Sequence, residues 1–269
     1  MGSGEKMEII QSVLLGLIQG VAEWLPISSE GQAMLFMMEF LRLSPADALS
    51  FAIFLHIGTM LAVVLKFRLE FLEILGWRSR SDPVLLKIIL LSTLATGMTG
   101  VPLFFLLKSF NQGDIIMLLI GLMLILTGAL LRAPDSTSAG YRRIEDIKTR
   151  EMVFLGLAQG LSILPGVSRS GTTITFLLLE GLNQRDALEV SFLLSVPAVL
   201  GAVALSLFTS SAQPVVSLEN AIVMVSVSFV VGYAMIDLLL RLAERLDFSK
   251  FCIILGLVTI GFTVGPLVI

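Results

Sequence analysis

The sequence predicts an all-α membrane protein with about six transmembrane helices plus re-entrant broken helices, built from an inverted-topology internal repeat. Three observations predict it: long apolar runs, loops that alternate between basic and nearly uncharged, and a glycine- and serine-bearing signature that occurs twice.

Of the 269 residues, 56% are apolar and 14% charged, and the mean hydropathy is +0.95. That lies above the range of soluble domains and makes the bilayer the solvent. A net charge of −3 and a pI near 5.3 leave no basic face for a phosphate backbone, which excludes nucleic acid as a partner. The single cysteine, Cys252, cannot form an internal disulfide. MGSGEKM at the start reads as an expression scar ahead of the natural start, and no cleavable signal peptide is expected, because the first apolar stretch lacks a small-residue cleavage site.

A helix needs about 20 apolar residues to cross a hydrocarbon core of about 30 Å. Residues 47–65, 88–107, 115–131, 187–209 and 219–240 meet that need, with a sixth span at 251–269. Residues 7–25, 31–43 and 151–182 are short or interrupted by Gly, Pro and polar residues. Broken helices at membrane depth survive only where protein or water covers the freed backbone groups, so these three read as re-entrant segments lining a cavity.

Charge orients the spans. Lys66, Arg68, Arg78, Arg80 and Lys87 crowd one loop, Arg132, Arg142, Arg143, Lys148 and Arg150 a second, and Arg241, Arg245 and Lys250 a third. Loops 108–114 and 210–218 hold one lysine between them. The basic loops are therefore expected in the cytoplasm and the poor ones outside, so that the span at 47–65 starts outside and the span at 187–209 starts inside. Asp237 lies near the basic end of its span, within reach of the interface.

GLIQGVAEWLPISSEG at 16–31 aligns without gaps on GLAQGLSILPGVSRSG at 156–171, and Asp47-Ala48-Leu49 matches Asp186-Ala187-Leu188. Matches at offsets of 140 and 139 residues indicate a duplicated unit. With the charge argument, the copies have opposite orientation: a first repeat at 7–131, a cytoplasmic connector at 132–150 with solvated charges, and a second, inverted repeat at 151–269, all in a single membrane domain. Inverted repeats bring their broken segments together near the midplane, where ligand sites lie.

In the first copy, Gln19 and Glu23 share a helical face, Pro26 ends that helix, and Ser28 and Ser29 fall in the turn that starts the next. The second copy repeats the turn with Pro165, Gly166, Ser168, Arg169, Ser170 and Gly171, followed by Thr172 and Thr173. Serines cap helix starts, and the unpaired amides there suit phosphate oxygens. The copies match in shape and differ in chemistry: Glu23 stands opposite Ile163 in the alignment, and Ser29 opposite Arg169. A guanidinium fork grips phosphate, and a carboxylate holds a divalent cation or takes a proton, so the pair suits a diphosphate and a metal. Hydroxyls in the turns can bind phosphate, or one can attack phosphorus. Ser170, Thr172 and Thr173 are equally suited to helix capping. Two function classes remain open on the residues: hydrolysis of a diphosphate, and transport of a polyprenyl phosphate or other anion without chemistry.

QGVAEWLPISSEG and PGVSRSGTT resemble the two signatures of the undecaprenyl-diphosphatase, or bacitracin-resistance, family, and the length, the repeat and LHIGTMLAVVL agree over nearly the whole chain. The first family motif, Glu or Gln, three residues, then Glu, is met by Gln19 and Glu23; Pro-Gly-x-Ser-Arg-Ser-Gly is matched in full at 165–171. The resemblance implies a multi-pass phosphatase of the plasma membrane. It would remove the terminal phosphate of a polyprenyl diphosphate at the outer face, with Mg²⁺ or Ca²⁺ as cofactor. It gives Glu23 the metal-binding or base role, Ser29 that of nucleophile and Arg169 that of diphosphate clamp. Gln19, Ser28, Gln32, Ser168, Ser170, Gly171, Thr172 and Thr173 become substrate-binding positions, with Gln19 a further oxygen ligand for metal, while Glu30, unusual beside the serines, either strengthens a metal site or repels the diphosphate. The expected partners are the lipid substrate and the bilayer, and a homodimer is allowed. One departure stands out: where many members have histidine after Ser-Ser-x-Gly, this chain has Gln32, whose amide cannot replace an imidazole as acid or base. The only histidine, His56, falls in the next span, outside the motif, where a packed residue bonded to a carbonyl competes with a site role.

Overall fold

In the computed structural model of the chain, the described residues are 8–74, 76, 83–109, 112–130, 132, 142–209, 217–242, 250, 253–254 and 256–261. They form helices α1 (Ile9–Ala22), α2 (Ser29–Phe40), α3 (Pro45–Lys66), α4 (Arg68–Ile74), α5 (Pro83–Lys108), α6 (Gly113–Leu130), α7 (Thr149–Gly160), α8 (Arg169–Leu179), α9 (Gln184–Thr209) and α10 (Leu218–Leu242), with single 3₁₀ turns at Ile144–Asp146 and Leu161–Ile163. No strand occurs among the described residues, only an isolated bridge between Arg142 and Leu182.

Five helices are long and apolar enough to cross a membrane: Pro45–Lys66, Val84–Lys108, Gly113–Leu130, Gln184–Thr209 and Leu218–Leu238. They fall on the five internal spans expected from the sequence, and the chain is a multi-pass membrane protein. The sixth expected span, 251–269, lies largely outside the described residues, as does MGSGEKM at 1–7. Its described part, 256–261, is helical and crosses α6 at a glycine pair, where a Cβ on Gly256 would lie 2.7 Å from the Gly121 carbonyl oxygen. Helix α4, in the first basic loop, was not expected.

The interrupted segments are helical in pieces. α1, α2, α7 and α8 have 14, 12, 12 and 11 residues. At about 1.5 Å per residue none reaches across about 30 Å of hydrocarbon. Their starts repeat the spacing of the sequence: Ile9 and Thr149, and Ser29 and Arg169, are 140 residues apart, and Pro45 and Gln184 are 139 apart. The repeated aspartate has a structural reason. Asp47 N–H donates to Ser44 Oγ (3.2 Å) while Ser44 Oγ–H donates back to Asp47 Oδ2 (2.7 Å); Asp186 N–H donates to Asn183 Oδ1 (2.9 Å) while Asn183 Nδ2 donates to Asp186 Oδ2 (2.8 Å). Each pair is a reciprocal cap that starts a long helix, α3 or α9.

The repeated glycines also have a packing reason. α1 packs on α10 and α7 on α5, so the first helix of each half lies against a long helix of the other. On α1, a Cβ at Gly16 would sit 2.8 Å from Val227 Cβ, and one at Gly20 2.7 Å from Val231 Cβ. On α7, Gly156 and Gly160 are pressed the same way against Ser92 and Thr99 of α5. Small residues four apart let helices approach in lipid, where dispersion contacts rather than solvent exclusion drive association. Trp24 fixes the end of α1 to the same partner: Nε1–H donates to Gly232 O (2.9 Å), and the ring meets Phe192 edge-on with centroids 5.1 Å apart.

The connector differs from expectation at one residue. Arg142 is not a solvated charge; it bridges Glu151 (2.8 Å) and Glu180 (3.2 Å) and donates to the carbonyls of Asp146 and Glu180. Residues 133–141 lie outside the described chain. Asp237 pairs with Lys66 of α3 at 2.5 Å.

Candidate active site

Two breaks position the site. After α1 the chain passes Pro26, an Ile27 N–H bond to Leu25 O (2.8 Å), and Ser28 in the left-handed region with φ 58°. A non-glycine residue there stores on the order of 1–3 kcal/mol of strain, held by its surroundings. Here the hold is Ser28 Oγ, which accepts Gly31 N–H (3.2 Å) as helix cap and Gly166 N–H (3.0 Å) from the other break. Gly166 has φ +99°, and a Cβ on it would run into the α6 backbone at Ile120. Ser168 caps α8 by accepting Gly171 N–H (3.1 Å). Ser29 and Arg169 are thus the first residues of their helices, and the breaks are tied together by a direct hydrogen bond.

Glu23, at the C-terminal end of α1, is where the halves meet. Its Oε1 accepts Arg169 Nη2 at 2.5 Å, while Oε2 accepts Ser29 Oγ at 2.7 Å and Gln19 Nε2 at 2.9 Å. His56 of α3 brings Nε2 to 3.1 Å from Glu23 Oε2 and 3.5 Å from Ser29 Oγ. Its Nδ1 lies 2.7 Å from Ala52 O; a carbonyl and a carboxylate only accept, so Nδ1 donates to Ala52 O and the contact with Glu23 calls for a second proton on Nε2. Arg169 Nη1 donates to Ser191 O of α9 (3.0 Å). The Glu23 side chain is 4% exposed and that of Arg169 13%. A charge so deep persists only when paired, and here each side chain supplies the other's counter-ion.

These groups face an open cavity. Glu23, Ser28, Ser29, Glu30, His56, Ser168, Arg169 and Ser170 make its polar end, and mostly apolar residues of α3, α5, α9 and the second break make the rest, with Thr93, Thr96, Gln159 and Ser162 among them. A hydroxyl donating to a buried carboxylate, beside a guanidinium and an imidazole, is an arrangement for nucleophilic attack on an anionic centre.

The family model described as bacitracin resistance protein BacA matches residues 12–260. The chain belongs to that family. A protein of Methanothrix thermoacetophila named undecaprenyl-diphosphatase is 49% identical over 97% of this chain and 99% of its own length. Proteins of the same name from Methanopyrus kandleri and Haloarcula marismortui are 39% and 40% identical, over 93% and 92% of this chain and 94% of each relative.

Of the family positions singled out in the sequence, the structure gathers Glu23, Ser29, Arg169, Ser28, Ser168 and Ser170 on the cavity wall and sets Gln19 behind Glu23. Gln32, Gly171, Thr172 and Thr173 do not line the cavity. Gln32 Nε2 turns back to Ile27 O (3.2 Å), Thr172 Oγ1 donates to Ser168 O (2.9 Å), and Thr173 Oγ1 donates to Arg169 O (2.9 Å) and pairs with Ser191 Oγ (2.7 Å). His56 is inside the site although it lies outside both motifs. Gln159, the repeat counterpart of Gln19, also reaches the cavity, with Thr93 and Thr96 of α5. The repeat alignment marks Gln159, and nothing in the sequence marks the threonines.

No group of three or more His, Cys, Asp or Glu residues arranged for a metal occurs among the described residues. Both oxygens of Glu23 are engaged by protein donors. Buried oxygens without a partner include Glu30 Oε1, Gln159 Oε1 and Thr93 Oγ1 on the cavity wall and Gln19 Oε1 behind Glu23. A carboxylate and amide oxygens are the hard donors that Mg²⁺ and Ca²⁺ take, so Glu30 and Gln19, with Glu23 between its donors, are chemically suited to a divalent cation.

Proposed function

We propose that the chain is an undecaprenyl-diphosphatase, releasing the terminal phosphate of a polyprenyl diphosphate to recycle the lipid carrier of cell-envelope glycan export. The observation that carries this reading is the contact of Glu23 with both Ser29 and Arg169 at the polar end of the cavity. Arg169 binds the diphosphate. Ser29 Oγ bonds to the terminal phosphorus as its proton passes to Glu23; the bond to the bridging oxygen breaks, and the polyprenyl monophosphate leaves. Water then attacks the phosphoserine, releasing inorganic phosphate and restoring the hydroxyl. His56 and Gln19 hold the Glu23 carboxylate in place between Ser29 and Arg169. Glu30 and Gln19 would hold a divalent cation, which when bound supplies positive charge to the diphosphate.

The same reading places the halves, 7–131 and 151–269, as inverted copies in the plasma membrane with the cavity toward the outer side. Support comes from depth: its lining residues on α9 (Pro197 to Leu205) and most of those on α5 (Thr96 to Phe104) lie past the helix midpoints, toward the ends that lead into the charge-poor loops.

The test is undecaprenyl diphosphate carrying a labelled terminal phosphate, added to the purified protein with Mg²⁺. Release of labelled phosphate, with label trapped on Ser29 in an acid quench and lost in Ser29→Ala, is the expected result. Label carried intact across vesicles without release overturns the reading in favour of transport.

A further inference from the structure

The aligned signatures each carry a glutamine, Gln19 and Gln159, 140 positions apart, and the two are met differently. Gln19 Nε2 donates to Glu23 Oε2, whereas Ile163 stands at the aligned position of the second signature and has no acceptor to offer. Gln159, 1% exposed, instead donates through Nε2 to Thr96 Oγ1 of α5 at 2.9 Å. The sense of that bond is fixed by the hydroxyl. Its one proton goes to the carbonyls of Ser92 (2.7 Å) and Gly156 (3.1 Å), so Thr96 Oγ1 can only accept from the amide. Gln159 Oε1 is left buried and without a partner, and so is Oγ1 of Thr93, one turn earlier on α5. Both residues line the cavity, on the wall where α5 packs on α7, and Ser162 of the second break links that wall to Ser168 and Arg169. Buried polar atoms are paired as a rule, and an exception calls for a ligand or a role in chemistry. An uncharged acceptor and an uncharged hydroxyl on one wall suit a neutral O–H group, which donates to Gln159 Oε1 and accepts from Thr93 Oγ1–H. An ionised phosphate oxygen has no proton for the amide oxygen, and no carboxylate stands among Thr93, Thr96, Gln159 and Ser162 to hold a cation.

We infer that Gln159 and Thr93 seat the water that hydrolyses the Ser29 phosphoenzyme. The inference rests on the phosphatase reading, which supplies the phosphoserine. In-line transfer places the attacking and leaving oxygens on opposite sides of phosphorus. In the first step polyprenyl phosphate leaves on the side away from Ser29, so in the second the water enters from there. Ser29 starts α2, whereas Gln159 and Thr93 stand on α7 and α5, and the seat therefore belongs to a different wall of the same cavity. The water oxygen bonds to phosphorus as the bond to Ser29 Oγ breaks; Oγ recovers the proton held by Glu23, and both water protons leave on dihydrogen phosphate. The Gln159 amide orients the water and takes no proton, since an amide oxygen is too weak a base.

The experiment uses the purified full chain and undecaprenyl diphosphate with a labelled terminal phosphate, followed by rapid acid quench. Thr93→Val, which keeps the shape and loses the hydroxyl, and Gln159→Met should each slow the loss of label from Ser29 about tenfold or more, and leave the rate at which Ser29 gains label within about twofold. Labelled protein then accumulates at steady state, and Thr93→Ser should keep the parent rate. Equal slowing of both steps, or unchanged loss of label, overturns the seat and leaves the phosphatase reading standing. A parent chain that releases no phosphate overturns both. A second measurement needs no variant: a crystal structure of the parent chain with aluminium fluoride bound at Ser29 should show an ordered water bonded to Gln159 Oε1 and Thr93 Oγ1. A map with a side chain or no density at that place overturns the inference.

Discussion

Glu23 is the residue on which the site is built, and its cost explains its company. A carboxylate buried at membrane depth without a partner is strongly unfavourable, so removing Arg169 alone strands a charge at about 3–5 kcal/mol. His56 is the residue that neither motif reveals. Glu23, Ser29 and Arg169 were legible because a carboxylate, a guanidinium and paired serines are anomalous inside apolar segments. His56 meets Ser29 only through tertiary packing across 27 positions, and no spacing rule exposes that. Gln32 illustrates the converse: its position in the motif suggested the site, and its side chain turns back to a carbonyl. His56 holds the Glu23 carboxylate through Nε2, so under the proposed reaction His56→Gln should lower kcat by about 10²-fold, the cost of misplacing a reacting group, with the substrate KM nearly unchanged. Steady-state phosphate release checks it.

At the scale of elements, the short helices matter most, because their ends rather than their middles carry the chemistry. The interruption of these segments by Gly, Pro and Ser was readable, and so were the breaks after Pro26 and Pro165. The reason for the repeated glycines was not, since it lies in which helix each half packs against, and that swap of partners is a property of the assembled chain. Gly20→Leu should force α1 from α10 and cost about 1–3 kcal/mol of thermal stability, whereas the same change at Gly97, which faces open space, should be nearly neutral for stability. A melting comparison of the two variants in one detergent separates them. The connector adds a pH effect. Burial pushes the Glu151 carboxyl up, but hydrogen bonds from Arg142 and the Lys148 amide and the Arg142 charge outweigh it and hold the carboxyl below its ordinary value. A folded value below the unfolded one stabilises the fold above the ordinary glutamate range, and that contribution is lost as the pH falls through the lowered value. Glu151→Gln should therefore lower Tm at neutral pH more than at acid pH, as a pair of melts at each pH will record.

For the whole molecule, the two aligned signatures of the sequence differ at defined positions. In that alignment, Glu23 against Ile163 and Ser29 against Arg169 divide the chemistry between the copies. The five spans were visible in composition alone, because they depend on residue type and run length. The meeting of the halves was inferred from the repeat, but the distances within it depend on how α1, α3 and α8 pack, which one chain of letters does not specify. The central claim is that Glu23 and Arg169 act as one device on a diphosphate. A double-mutant cycle on phosphate release from undecaprenyl diphosphate tests it most directly, using Glu23→Gln, Arg169→Ala and the pair together in folded, monodisperse protein. Each single change should lower kcat/KM by about 10³-fold, and the double variant should be no worse than the poorer single one. Losses that multiply, or single variants within a few-fold of the parent chain, would contradict it.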